Sequence, residues 1–174
     1  MPSAASCYDP KVIKMDTDES MASFVTALRA NGLTGNPCNE ETIRDVEQQT
    51  GVKLPAAYRA FLLVAGHGFP PWEGSQYSIE DIQGIGDRPP LQQWGQKLLE
   101  KREMSLPDGA FVFFIHQGAV VEFFLPDVDD PAVFQWIDFE APQPIRRIAR
   151  SFTEHVLSAK RQLDGLVARR SVGP

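Results

Sequence analysis

Apolar residues recur at helical spacing near the start of the chain. The i, i+3, i+4, i+7 pattern predicts a helix over residues 18–31. Asp16 and Glu19 form a capping-box pattern at its start, and Asn31 and Gly32 supply a left-handed stop. The apolar face of this helix consists of Met21, Phe24, Val25 and Leu28.

Two more helices follow, with a sharp corner between them. Asn39 is the predicted N-cap and Gly51 the residue just past the end of a helix over residues 40–50. The next helix begins at Pro55, because the missing N–H of a proline would be unpaired in a first turn anyway. Leu54 stands directly before that proline and is predicted to fill the core.

Glycine and proline then interrupt the helical pattern. They indicate a loop over residues 66–76. A short strand that runs into a helical turn is predicted over 77–82, with Ser78 as the cap of the turn. A further helix is predicted over 87–103, with Pro90 in its first turn.

The middle of the chain is rich in β-forming residues. Two apolar runs within residues 110–125 are broken at Gln117 and Gly118, which predicts a hairpin. Residues 111–115 are apolar at every position, so both faces of that strand should be covered. A third strand is predicted over 132–138.

The last predicted element is a helix over residues 144–168. Its apolar stripe consists of Ile145, Ile148, Phe152, Val156, Leu163 and Leu166. Helices followed by consecutive antiparallel strands and a final helix predict an α+β domain, an antiparallel sheet with flanking helices.

Charge is distributed unevenly along the chain. The formal net charge is −6, with −11 on residues 1–144 and +5 from residue 145 onward. An acidic body repels phosphate, so it argues against a nucleic-acid binder and favours a basic protein partner. Ordinary solubility charge explains the same imbalance equally well. The arginines near residue 145 have no interleaved aromatic platform, which favours a solvated face over a nucleic-acid site.

The sequence predicts a cytoplasmic protein. The N-terminus has no apolar segment of signal-peptide type, and no run of 18 apolar residues predicts a membrane span. Cys7 and Cys38 lie in polar, peripheral segments and are predicted to be free thiols. The oligomeric state is left open, with a monomer favoured.

Candidate catalytic and metal-binding residues are scarce. His67, His116 and His155 have no metal-ligand spacing, and Cys38 with His116 belongs to unrelated segments rather than to a recognisable dyad. The glycines near residue 85 lack the remainder of a phosphate-binding loop. We assign no catalytic, cofactor-binding or metal-binding residue.

Three aspartates form a second candidate site. Asp127, Asp129 and Asp130 suggest a calcium loop, but an EF-hand requires Gly and Glu where Ala132 and Asp138 stand. Either Asp130 caps the turn and the other two solvate the loop, or all three contact a basic partner.

Aromatic residues in the proline-rich loop form a third candidate site. Trp72, Glu73 and Tyr77 lie close together in sequence. Exposed aromatic residues commonly anchor protein interfaces, so this loop is a candidate partner-binding surface. The alternative is that Trp72 folds back over the sheet as a lid.

The order of these motifs resembles the SUKH superfamily of the Smi/Knr type. A helix that ends in Glu-x-x-x-Gly is followed by Leu-Pro-x-x-Tyr-x-x-Phe-Leu and a glycine-rich turn, and later by an Asp-Pro-x-Val-aromatic strand. The similarity covers roughly residues 39–157, and its residues here are Glu47, Gly51, Leu54, Pro55, Tyr58, Phe61, Leu62, Gly66, Gly68, Asp130, Pro131, Val133 and Phe134. This chain departs from the family in having Ala-Gly-His-Gly at residues 65–68.

The resemblance implies a non-enzymatic protein-binding domain without a cofactor. Bacterial members of the superfamily are mostly immunity proteins that neutralise toxins, often nucleases, whereas fungal relatives are regulatory interaction proteins. Two functions therefore remain open. The protein is either an immunity protein, or a regulatory or scaffold module without a toxin partner. The predicted organisation is an N-terminal extension with one helix over 1–37, the SUKH-like domain over 38–170 and a tail over 171–174.

Overall fold

A computed structural model describes residues 17–139 and 145–171. Five helices precede the sheet and one follows it. The helices are α1 (Thr17–Ala30), α2 (Glu40–Thr50), α3 (Ala56–Ala65), α4 (Ile79–Gln83), α5 (Leu91–Glu100) and α6 (Phe152–Ser171), with a 3-10 helix at Pro70–Trp72. The strands are β1 (Phe111–His116), β2 (Val120–Phe124), β3 (Val133–Ile137) and β4 (Arg146–Ala149).

The four strands form one antiparallel sheet in the order β1-β2-β3-β4. The predicted hairpin is confirmed, because Gln117 and Gly118 form the turn between β1 and β2 with φ values of 51° and 66°. Two successive left-handed residues match the twist of the flanking strands. With its helices and antiparallel sheet, the domain has the predicted α+β class.

Helices pack on both faces of the sheet. On one face, the Tyr58 ring of α3 contacts Phe111, Phe124 and Phe152 at centroid distances of 5.7, 5.2 and 5.1 Å. On the other face, α5 approaches so closely that a Cβ at Gly95 would lie 3.0 Å from Val112. The first five residues of β1 are therefore all buried, as its uniform apolar pattern predicts.

The corner between α2 and α3 is held by one carboxylate. Glu47 Oε1 accepts a hydrogen bond from the Leu54 backbone N–H at 2.8 Å, and its Oε2 pairs with Arg59 at 2.9 Å. Leu54 is 2% exposed, so its predicted core position is confirmed. Pro55 is the N-cap of α3 rather than its first residue, because its ψ of 148° is not helical.

Helix α1 packs on α3 and contributes to the same core. Leu28 and Leu33 are buried in it. The segment after α1 approaches the loop after α3 so closely that a Cβ at Gly35 would lie 2.3 Å from the Gly68 carbonyl oxygen. The predicted cap residue Asp16 lies outside the described residues.

The prediction of a continuous C-terminal helix from residue 144 is wrong. Residues 146–149 form strand β4, and α6 begins only at Phe152. Ile145 and Ile148 have a spacing that fits a helix, whereas β4 is short and mostly exposed and so lacks the apolar pattern of a strand.

The segment before α4 also differs from its prediction. No strand is assigned there among the described residues, and Gln76 makes a single bridge to Ile115. Ser78 does cap the helical turn, in a reciprocal capping box with Asp81. Helix α5 is shorter than predicted, since Pro90 is its N-cap and it ends at Glu100.

Candidate binding surfaces

The Trp72 side chain is buried, with 6% of its surface exposed. Its ring lies 5.2 Å from Phe61, 5.3 Å from Phe114 and 5.6 Å from His155 between centroids. The interpretation of Trp72 as an exposed aromatic anchor is therefore wrong, and the lid alternative describes the structure. The indole fixes the proline-rich loop to the sheet because the aromatic cluster offers it a close-packed site.

Tyr77 is buried beside Trp72. Its hydroxyl accepts a hydrogen bond from the Phe69 N–H and donates one to the Phe69 carbonyl at 3.1 Å. Burial raises the pKa of Tyr77. Tyr77 thus holds the loop in place from inside, whereas Glu73 lies on the outside and is exposed.

The aspartate loop is attached to the N-termini of two helices. Asp130 Oδ1 accepts a hydrogen bond from the Thr153 N–H of α6 at 3.0 Å, and the Asp129 carbonyl accepts one from the Ala57 N–H of α3 at 2.9 Å. The prediction that Asp130 caps the turn before Pro131 is thereby corrected, since its side chain caps α6 instead. Asp127 is exposed at the tip of the loop and Asp129 is half-buried.

The two candidate loops contact the same part of α6. Trp72 packs against His155, and Asp130 bonds to Thr153, both within the first turn of the helix. The sequence predicts two separate loops and does not indicate that they contact the same helix. Whether their exposed acids Glu73 and Asp127 contact a partner stays a prediction.

Sequence reasoning missed a buried pair of ionisable residues. Glu122 on β2 is 5% exposed, and its Oε2 lies 2.9 Å from His155 Nε2 of α6. Neither atom makes a hydrogen bond of good geometry among the described residues. A lone glutamate within the apolar run of residues 119–125 was the available signal.

This pair lies at a cavity between α6 and the 3-10 helix. The cavity has a volume of about 270 Å³, and Pro71, Trp72, Ser158 and Leu163 also line it. It is the place where a buried charge, an aromatic ring and open space coincide. Polar groups that converge in a concavity with aromatic and aliphatic walls are typical of binding sites.

Cys38 and His116, which the sequence does not support as a catalytic dyad, each have a structural role. Cys38 is buried rather than peripheral, because its Sγ donates to the Leu62 carbonyl at 3.2 Å within the helical core. Burial raises the pKa of the Cys38 thiol from 9.0 to about 11, which disfavours the reactive thiolate. His116 lies at the end of β1, where Nδ1 is 2.8 Å from Ser75 Oγ.

The remaining histidine, His67, pairs with Glu80 at 2.5 Å. Over residues 17–139 and 145–171, no group of three or more His, Cys, Asp or Glu residues has the arrangement of a metal site. None of the helices in these ranges has both the length and the apolar character that a membrane crossing requires. The second cysteine, Cys7, lies outside them.

Comparison with known proteins identifies one family. No curated protein matches the sequence. The model of the SMI1 / KNR4 family (SUKH-1) matches residues 37–158, which is more than half of the chain. The matched range begins just after α1 and ends within α6, so it contains the α2–α3 corner, the sheet and both candidate loops. The chain therefore belongs to the SMI1 / KNR4 family (SUKH-1).

Proposed function

We propose that the protein is a cytoplasmic immunity protein that neutralises a cognate protein toxin by binding it. The observation that carries this proposal is the family match over residues 37–158. Domains of this family are generally non-catalytic binding domains, and the resemblance implies that bacterial members are mostly immunity proteins. A stoichiometric complex, rather than a reaction, is the mechanism that follows.

Charge supports a basic partner. Residues 1–144 carry a net charge of −11, and a nuclease toxin binds its substrate with basic residues. An acidic surface placed over those residues would occlude the substrate site and accelerate association. For the same reason, direct nucleic-acid binding by this chain is disfavoured.

The exposed acids on the two candidate loops are the proposed contacts. Glu73 and Asp127 are exposed, while Asp129 is half-buried. Their loops are held from inside by Trp72 and by Asp130, so their backbone is ordered before a partner arrives. Pre-organisation of this kind lowers the entropic cost of association.

Co-expression with the toxin encoded by the adjacent gene tests the proposal. We expect growth to be restored and the two proteins to co-purify in equal amounts. A double variant, Glu73→Gln with Asp127→Asn, should weaken the complex. A control pair of exposed acids elsewhere, Glu41→Gln with Asp87→Asn, removes the same charge and should have a smaller effect.

The alternative is a regulatory or scaffold module, as the resemblance to fungal relatives implies. Absence of a toxin gene beside this one, together with a complex formed with another cellular protein, would favour that alternative. Failure of the adjacent toxin to bind or to be neutralised would contradict the immunity proposal.

A further inference from the structure

The cavity between α6 and the 3-10 helix has a carboxylate at its base. Glu122 lies on the inner strand β2 and is 5% exposed, yet it borders the cavity. A buried carboxylate is costly unless its oxygens are well bonded. The number of hydrogen-bond donors around Glu122 therefore shows whether its carboxylate can accept a further one.

The hydrogen bonding of this carboxylate is incomplete among the described residues. Oε1 accepts a hydrogen bond from Gln135 Nε2 at 2.8 Å. Oε2 is 2.9 Å from His155 Nε2, but the geometry is not that of a hydrogen bond. An ionised carboxylate has about four acceptor positions, so Glu122 retains capacity for a further donor.

The walls of the cavity combine apolar and polar side chains. Pro71 and Trp72 line it from the 3-10 helix, and Leu163 and Leu166 line it from α6. Apolar wall residues beside a carboxylate match the side chain of lysine or arginine, which has an aliphatic stem and a charged head.

The volume of the cavity also favours a single side chain as its occupant. Its volume of about 270 Å³ lies just below the range of roughly 300–1,000 Å³ that is usual for small-molecule pockets. An anionic ligand is excluded because its charge would approach Glu122. One lysine or arginine side chain fits within this volume and complements the charge of Glu122.

We propose that this cavity binds a single lysine or arginine side chain of the protein partner, with Glu122 as its acceptor. That the partner is a toxin rests on the proposed function. The preference of the cavity for a cationic side chain is argued from the cavity alone. The site is distinct from the exposed acids Glu73 and Asp127, since its carboxylate is buried.

Titration with small analogues tests the cavity without any partner. The probes are N-acetyl-arginine amide and N-acetyl-lysine amide, with N-acetyl-citrulline amide as the uncharged control. We expect at least one cation to shift the NMR signal of the Trp72 indole N–H and to reach saturation, and citrulline to have no such effect. Trp94 lies on α5, and Trp136 is paired with Val121, which faces Gly95 of α5, so both serve as internal controls.

Two variants at the rim avoid any question of folding. Gln162 is exposed on α6 and lines the cavity. Gln162→Lys should abolish binding of the cationic probe by repulsion, and Gln162→Glu should retain or strengthen it. At the base, Glu122→Gln keeps the shape and should weaken probe binding by about tenfold or more. Thermal unfolding will check that this last variant is folded.

The toxin then separates the two proposals. A complex that forms with wild type and is weakened by Gln162→Lys but not by Gln162→Glu supports both. If the toxin binds wild type, Gln162→Lys and Gln162→Glu with equal affinity, the cavity proposal is overturned and the immunity function stands. If no toxin binds but the probes do, the cavity proposal stands alone. If neither cationic probe shifts Trp72, the Glu122–His155 pair is purely structural and the proposal is wrong.

Discussion

Asp130 Oδ1 accepts a hydrogen bond from the backbone N–H of Thr153 at 3.0 Å. This bond joins the loop after β2 to the first turn of α6, where the N–H groups have no intrahelical acceptor. Ser151 supplies a second acceptor, since its Oγ bonds to the Glu154 N–H at 3.1 Å. The aspartate is therefore part of the scaffold, whether or not its neighbours contact a partner.

Replacing this aspartate should destabilise the protein. Asp130→Ala removes a helix-capping acceptor, and we expect a loss of about 0.5–2 kcal/mol in the free energy of unfolding, measured in urea. Asp127→Ala is the control, because Asp127 is exposed and surface substitutions usually stay within about 0.5 kcal/mol. Equal losses in the two variants would contradict the capping role.

Loss of the hydroxyl should affect the free energy of unfolding differently at two buried tyrosines. Tyr58 OH is buried without a hydrogen-bond partner among the described residues, whereas Tyr77 OH bonds to both backbone groups of Phe69. Tyr58→Phe should leave stability unchanged or raise it by up to about 1 kcal/mol. Tyr77→Phe should lower it by about 1–3 kcal/mol, because the Phe69 N–H loses its acceptor. A Tyr58→Phe loss as large as that of Tyr77→Phe would show that Tyr58 has a partner.

Leu54→Ala should open a cavity at the corner between α2 and α3. The side chain is 2% exposed, so we expect a loss of about 2–5 kcal/mol. Lys53→Ala, at the exposed neighbouring position, is the matched control. A change under about 0.5 kcal/mol for Leu54→Ala would be typical of a surface residue and would refute the core position.

The Cys38 thiol should resist modification in the folded protein. Its raised pKa means that the folded state holds the proton more tightly than the unfolded state, so stability should fall as pH rises from 9.0 towards about 11. In a Cys7→Ser background, iodoacetamide should react with Cys38 only after denaturation. Cys38→Ala should remove this component of the pH dependence. Rapid alkylation of the native protein near neutral pH would contradict the buried position.

Association with a basic partner should depend on salt. If the net charge of −11 on residues 1–144 steers the encounter, the association rate should fall as ionic strength rises, because exposed charges are screened. Stopped-flow mixing at increasing salt concentration measures this. A rate independent of salt would remove the electrostatic part of the proposed mechanism.

Elements with strong local signals were predictable from the sequence. Asn39 and Gly51 mark α2 by their own backbone and side-chain chemistry, and the structure places its ends at Glu40 and Thr50. The turn at Gln117 and Gly118 is equally local. Strand β4 was not predictable, because it has only four residues, three of them exposed, and therefore no alternating or continuous apolar pattern.

The same distinction explains the candidate site. Glu122 and His155 belong to a strand and a helix that are far apart in sequence, and only the packing of α6 on the sheet brings their atoms to 2.9 Å. The residues that flank Trp72 are typical of an exposed loop. Its large apolar surface is nevertheless covered by residues from β1 and α6. Tertiary burial overrode the local pattern in both cases.

Among the residues that the structure describes, β4 is an edge strand of the sheet. Arg147 is exposed on it, and the register with β3 shifts between Val133 and Phe134. Edge-to-edge joining of two copies would bring like charges together on an irregular ladder, which opposes fibre growth. A strand that completes the sheet thereby also discourages polymerisation of the folded molecule.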